Sequence, residues 1–167
     1  MKKAFFPGSF DPPTFGHLDI ITRASSICDF LYVGVGSNDS KPNHSFSFKE
    51  RIDLLKKITQ HITNVEIISF TGLAVDCAVE HEISFFIRSI RSHSDFEQET
   101  ELAYMNSRLK KIETLYLIAD EKYRLMSSSL IKEIARHGHR LSSFVPTEIE
   151  EIVFNRLSGI SSVRNDE

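Results

Sequence analysis

The sequence predicts an α/β fold, a doubly wound five-stranded parallel sheet with helices packed on it, and three observations lead there. Five short apolar runs recur along the chain, at Ala4–Phe6, Phe30–Gly36, Val65–Phe70, Ile83–Ile87 and Leu115–Ile118. Stretches with apolar residues at helical spacing separate them. The second run, FLYVGVG, is almost continuously apolar rather than alternating, as expected of a strand covered on both faces of a parallel sheet. Strands alternating with helices require crossover connections, which are right-handed, within a single domain.

The organising stretch is KAFFPGSFDPPTFGH, Lys3 to His17. Ala4, Phe5 and Phe6 form the first strand, which Pro7-Gly8 is expected to end near Phe6, because proline cannot donate to a ladder and glycine opens turn geometries. Pro12 and Pro13 hold the next residues extended. Thr14 can serve as an N-cap, with Leu18, Ile20, Ile21, Ala24 and Ile27 following at helical spacing. His17 then falls in the first helical turn, where unpaired backbone N–H groups and the positive end of the helix dipole favour an anion such as phosphate. A histidine at such a place serves either as a phosphate donor or simply as a cap or packing group.

Gly34-Val35-Gly36 lacks the third glycine of a dinucleotide fingerprint and runs into polar SNDS, so no dinucleotide site is expected. The polar loop Ser37–Ser47 carries Lys41 just beyond a strand's C-terminal end, the edge where open α/β sheets bind ligands. Solvation alone also accounts for a loop lysine. Phe48 to Ile58 reads as a helix with Ile52, Leu55 and Ile58 on one face, and Gly72 to His81 as another with Leu73, Val75, Ala78 and Val79.

After the fourth strand comes RSIRSHSDFEQE, whose Arg88 and Arg91 suit phosphate oxygens, because guanidinium binds them in bidentate fashion. The alternative is a surface pair bridged to Asp95 or Glu97. A helix from about Ser94 to Leu109 has acids early and bases late, which suits the macrodipole and requires no function. Asn106 lies on its apolar side, where the amide needs a partner. Ser127, Ser128 and Ser129 precede the helical LIKEIAR and its stop at Gly138. They are read equally as a second anion site or as one cap with two solvated neighbours. Pro146 to Leu157 closes the domain as a helix with Ile149, Ile152, Val153 and Leu157 on its face, so the domain spans 1–158 and 159–167 is expected to be a mobile tail.

At 167 residues, with 41% hydrophobic and 26% charged residues, the chain is long enough for one real core and shows neither a disordered nor a membrane composition. A net charge of -3 argues against a general nucleic-acid binder. No apolar signal region precedes Pro7 and no run reaches membrane-spanning length, so a cytoplasmic protein is expected. Cys28 and Cys77 belong to no CxxC pair and are read as small core residues. His137 and His139 are read as a solvated helix end.

Thr-x-Gly-His after a first strand and a Gly-Ser-Phe-Asp-Pro turn resembles the nucleotidyltransferase superfamily, whose domain is Rossmann-like. GSFDPPTFGH, SK at Ser40-Lys41, FKERI, IRSIRSHSDFEQE, the AYMN around Asn106 and MSSSLIKEI together resemble the phosphopantetheine adenylyltransferase family from Lys3 to about Leu157. The resemblance implies that His17 is the transition-state donor and that Ser9 and Phe10 stand at the junction of two substrates. It implies that Lys41 and Arg88 hold the phosphate of 4'-phosphopantetheine and that Leu73, Ala74 and Asn106 meet its arm, with Glu133 a weaker candidate for that pocket. The ATP site would be lined by Ser89, Ile90, Arg91, Glu99, Tyr123, Arg124, Leu125, Met126, Ser127, Ser128 and Ser129. Ser89 stands where the family often has glycine, Ala74 where it often has leucine, and Tyr123 where tryptophan is common; the stretch from Lys41 to Phe46 is one residue longer.

What this implies is direct in-line transfer of an adenylyl group from ATP, with Ser9 orienting the attacking phosphate and Arg91 holding the leaving pyrophosphate. The product would be dephospho-coenzyme A. Mg²⁺ is expected to arrive with ATP, and no residues are assigned to hold it as a metal site. A homo-oligomer, a hexamer by resemblance, is implied as well. The competing readings are the same chemistry with another acceptor, such as nicotinamide mononucleotide or a sugar phosphate, and a non-catalytic adenine-nucleotide sensor on the same fold.

Overall fold

The computed structural model describes residues 1–37 and 44–159. The expected contact residue Lys41 and the tail beyond Gly159 lie outside the described residues. Five parallel strands, β1 Lys3–Gly8, β2 Phe30–Ser37, β3 Val65–Thr71, β4 Phe85–Ile90 and β5 Glu113–Ile118, form one sheet in the order β3-β2-β1-β4-β5. The helices are α1 Phe15–Ser25, α2 Phe48–Thr59, α3 Ala74–Glu80, α4 His93–Lys110, α5 Ser128–Arg136 and α6 Thr147–Ser158, with a 3₁₀ turn at Glu121–Tyr123. The predicted α/β class and the alternation of elements therefore hold.

The strand order reverses at β1. From there the chain builds outward through β2 and β3, then returns to the other side of β1 for β4 and β5. Ligands of open α/β sheets bind at such a switch point. The β1–β2 ladder runs from Lys3↔Phe30 to Gly8↔Val35, but that between β1 and β4 comprises only Ala4↔Phe85 and Phe5↔Phe86. Beyond Phe5 the two central strands part, and a cleft opens between them.

That parting explains why β1 continues to Gly8 rather than ending near Phe6. The carbonyl of Pro7 accepts from Arg88 Nη1 at 2.6 Å, on the side where the β4 ladder has already stopped. A missing N–H there interrupts nothing, so proline is tolerated in a central strand.

The larger core layer joins Ala4, Phe6, Leu31, Val33 and Val35 of the sheet to Ile20, Ile21, Leu54, Leu55, Ile58, Ile131, Ile149 and Val153. A smaller one on the opposite face joins Phe5 and Phe86 to Val75, Cys77, Ala78, Ile83 and Ile112. A Cβ on Gly34 would lie 2.1 Å from Phe5 Cε2, and one on Gly36 3.1 Å from Phe70 Cζ. The two glycines that mimic a nucleotide fingerprint are there because aromatic rings cross the sheet at those points.

Several helical faces differ from their expected composition. Leu73 and Val79 are half exposed, because α3 is shorter than predicted and turns only Val75, Cys77 and Ala78 inward. Ile27 lies past the end of α1 and is half exposed, while on α6 Phe154 is buried and Ile152 is largely outside. β4 begins later and ends later than predicted, so Arg88 and Ser89 belong to the strand rather than to the loop after it. Cys77 is buried, Cys28 is half-buried, and both are free thiols; His137 and His139 are exposed at the end of α5. Among the described residues no helix is long and apolar enough to cross a membrane.

Candidate active site

His17 is the third residue of α1 and completes a reciprocal cap. Its backbone N–H donates to Thr14 Oγ1 at 3.2 Å, and the Thr14 N–H donates back to His17 Nδ1 at 3.1 Å. Capping and cleft chemistry, posed as alternatives by the sequence, are thus combined in one side chain. Because Nδ1 accepts, the proton of the neutral imidazole is on Nε2. Burial, with the nearby Arg91 cation, pushes the ring down from 6.5 to about 4, so it is a neutral donor at physiological pH. Phe10, buried and held at φ 49°, packs edge-on against the imidazole with centroids 5.0 Å apart.

The cleft around His17 encloses about 330 Å³ and brings together Ser9, Phe10, Arg88, Ser89, Arg91, Glu99, Tyr123, Met126 and the serines Ser127 to Ser129. Each arginine is already oriented by a carboxylate. Arg88 forks onto Glu99 through Nε at 2.5 Å and Nη2 at 2.6 Å. Arg91 Nε donates to Asp95 at 2.9 Å, as the bridged alternative anticipated, yet it still lines the cleft. Glu97 instead pairs with His93.

The three serines divide their work. Ser127 Oγ caps α5 by accepting from the Leu130 N–H at 3.1 Å, and Ser128 Oγ donates to the Pro12 carbonyl at 2.9 Å, tying α5 to the turn before α1. Ser129 lines the cleft without a side-chain hydrogen bond among the described residues. Tyr123 stacks on Phe15 with 14° between the rings. Ile90 is buried outside the cleft, where its carbonyl accepts from the Ala119 N–H at 2.9 Å. Arg124 and the exposed Leu125 line a neighbouring depression with Arg91 and Asp95.

A second cavity, about 780 Å³, adjoins the first and differs in character. Phe70, Leu73, Ala74, Phe86, Leu102 and Met105 give it apolar walls, while Asn106, His44 and Thr114 add isolated polar groups. The two cavities share Pro7, Gly8, Ser9, Arg88 and Glu99. Asn106 faces this cavity rather than a packed core, because α4 buries none of its residues. Glu133 is exposed on α5 and lines neither cavity, contrary to its weaker candidacy.

A family model described as cytidylyltransferase-like matches residues 5–134. The phosphopantetheine adenylyltransferase of Lachnoclostridium phytofermentans is 41% identical over 160 residues, which is 95% of this chain and 98% of that protein. That of Clostridium botulinum is 43% identical over 157 residues, 93% and 98% of the two chains. The chain belongs to the phosphopantetheine adenylyltransferase family. It is therefore a nucleotidyltransferase. In solved structures the same fold is found in a Vibrio parahaemolyticus protein described as a nicotinate-nucleotide adenylyltransferase, with a TM-score of 0.70, 17% identity, and coverage of 96% of this chain and 98% of that one. A lipopolysaccharide core biosynthesis protein of Thermoplasma volcanium aligns over 72% of this chain and 97% of its own, with a TM-score of 0.53 and 17% identity.

In this member of the family, sequence reasoning overlooked the charges beneath the cleft. Asp11 is 5% exposed and accepts from Lys132 Nζ at 2.5 Å and from the backbone N–H groups of Ser45 and Phe46 at 2.9 Å each. Burial pushes its carboxyl up, but Lys132 and those two amides outweigh it and hold Asp11 below the ordinary carboxylate value. Arg51, 2% exposed, donates to the carbonyls of Ser9 and Gly36. The one sequence signal was a charged residue inside the apolar face of α2.

Proposed function

We propose that this chain transfers the adenylyl group of ATP to the phosphate of 4'-phosphopantetheine, giving dephospho-coenzyme A and pyrophosphate in coenzyme A biosynthesis. The observation that carries the reading is the junction itself. A polar cleft containing His17 meets a larger, apolar-walled cavity at Ser9, Arg88 and Glu99. A triphosphate nucleotide suits the first, a long arm with amide groups suits the second, and their phosphates meet where the cavities do.

In this reading an oxygen of the phosphopantetheine phosphate attacks the α-phosphorus, the bond to the bridging oxygen of the β-phosphate breaks, and pyrophosphate leaves with that electron pair. The attacking phosphate is already ionised, so the chain supplies no nucleophile and forms no covalent intermediate. It supplies position and charge. His17 Nε2–H donates to an α-phosphate oxygen, assisted by Lys41. Ser9 orients the attacking phosphate, Arg88 and Lys41 neutralise it, and Arg91 with Ser127 to Ser129 holds the nucleotide and the departing pyrophosphate. Leu73, Ala74 and Asn106 receive the arm.

Glu99, the carboxylate lining the cleft, and Asp95 in the depression beside it are each engaged by an arginine. Among the described residues no group of three His, Cys, Asp or Glu side chains is arranged to hold a metal ion. Mg²⁺ is proposed to accompany ATP, where it would be held mainly by phosphates and water and would neutralise phosphate charge. A homo-oligomer is proposed as the working form, and the half-exposed Phe96, Met105 and Leu109 of α4 support it.

The test is pyrophosphate release from ATP and Mg²⁺ with 4'-phosphopantetheine, nicotinamide mononucleotide and glycerol phosphate as parallel acceptors, each product identified by mass. Release with phosphopantetheine alone, yielding dephospho-coenzyme A, is the expected result. Turnover only with another acceptor removes the assignment, and ATP binding without any turnover replaces it with the sensor.

A further inference from the structure

The turn that carries Ser9 is held from beneath by a cation that lines neither cavity. Arg51 Nη1 donates to the Ser9 carbonyl at 2.7 Å and to the Gly36 carbonyl at 3.2 Å, and its guanidinium lies 5.5 Å from the Phe48 ring centroid. The last β1–β2 pair is Gly8↔Val35, so Ser9 and Gly36 are the residues that follow it on each strand. Where the ladder stops, one guanidinium ties the residue after β1 to β2.

Stability alone accounts poorly for this arrangement. Among the described residues Arg51 Nε is buried with no partner, and burial of the guanidinium works against its charge while the Asp11 carboxylate favours it. Replacing a buried charge by an apolar side chain of similar volume is often neutral or stabilising. A buried unsatisfied donor calls for a reason. Placement supplies one, because the peptide that Arg51 holds belongs to a residue shared by both cavities. Rates of positioned reactions respond steeply to displacements of about 1 Å.

We propose that Arg51 is a positioning residue for adenylyl transfer, fixing Ser9 at the junction of the two cavities through its carbonyl oxygen. The inference rests on the proposed function. It acts on the alignment of the bound substrates, so it is expressed in kcat and not in the affinity for ATP.

The experiment compares the full-length wild type with Arg51→Met and Arg51→Lys, measuring kcat, KM for ATP and for 4'-phosphopantetheine, and the melting temperature, with rates referred to folded protein. Arg51→Met is expected to lower kcat by about a hundredfold with KM for ATP little changed. If it folds and keeps the wild-type kcat, whatever its melting temperature, the inference is overturned. If it does not fold, Arg51→Lys decides, since it retains the charge but its ammonium ends one bond short of the Nη1 position that reaches both carbonyls. A reduced kcat at an unchanged melting temperature supports the inference, and an unchanged kcat overturns it. A wild type that releases no pyrophosphate with phosphopantetheine removes the proposed function, whereas active wild type with unimpaired variants removes only the role of Arg51.

Discussion

The Thr14 amide donates to His17 Nδ1 at 3.1 Å, which places the imidazole proton on Nε2. Fixing the tautomer leaves one donor available to the cleft and makes its supply independent of ring protonation over most of the pH range. With the ring at about 4 rather than 6.5, the folded protein binds fewer protons there than the unfolded chain between those values. Stability from His17 is therefore complete above about pH 6.5 and declines as pH falls toward 4. Proton-coupled ¹⁵N spectra are expected to show a protonated Nε2 and a bare Nδ1 from pH 8 down to about 5.

Replacing His17 with Ala removes a donor from the proposed reaction and half of a reciprocal cap. The expected loss is about a hundredfold or more in kcat, with the ATP dissociation constant nearly unchanged. Calorimetric ATP titration alongside steady-state kinetics checks both parts. A matching loss of ATP affinity would make His17 a ground-state binder instead.

Asp11→Asn leaves the half-buried Lys132 ammonium beside a neutral amide. The variant is expected to lose roughly 3 kcal/mol of unfolding free energy at pH 7, read by urea denaturation. Because the folded-state pKa of Asp11 lies below its ordinary 3.8, its contribution is present above that value and fades as pH falls through the folded pKa. The gap between wild type and variant is thus expected to close in acid.

These residues also show what was legible in the sequence. The Thr14 cap and the placement of His17 in the first turn are local, three residues apart, and residue order with helical spacing reveals them. Asp11 finds its partner 121 positions away on α5, and no periodicity carries that information. Arg51 interrupts the apolar face of α2, and nothing local shows that its partners are the carbonyls of Ser9 and Gly36, 42 and 15 positions away. Ile27, Val79 and Ile152 fit the helical period, yet each lies where its helix has ended or turned from the sheet. The C-terminal ends of β1 and β4 lie beyond their expected positions because the two strands part at the cleft while each stays paired to its outer neighbour, so the usual signals of strand ends do not coincide with the ends of pairing.

Gly34→Ala is expected to destabilise the fold by ~3 kcal/mol, because the buried Phe5 ring occupies the space a Cβ needs and a packed core resists overfilling. Thermal melting measures it. An innocuous substitution would mean that Phe5 can move aside.

Thr114→Val is expected to act in the opposite direction. The Thr114 hydroxyl is buried without a partner among the described residues, and the isosteric methyl removes that penalty, raising stability by about 1 kcal/mol. Since Thr114 also borders the apolar-walled cavity, KM for phosphopantetheine measured on the same variant shows whether the hydroxyl contributes to the arm's binding.

The two-pair ladder between β1 and β4 gives the sheet a seam beneath the cleft, with β3-β2-β1 on one side and β4-β5 on the other. A ligand held jointly by Ser9 and His17 and by Arg88 and Arg91 spans that seam and becomes a cross-link of the fold. Occupancy is then communicated to the protein as cohesion between its two halves, and slowed amide exchange along β4 and β5 is the signature it leaves.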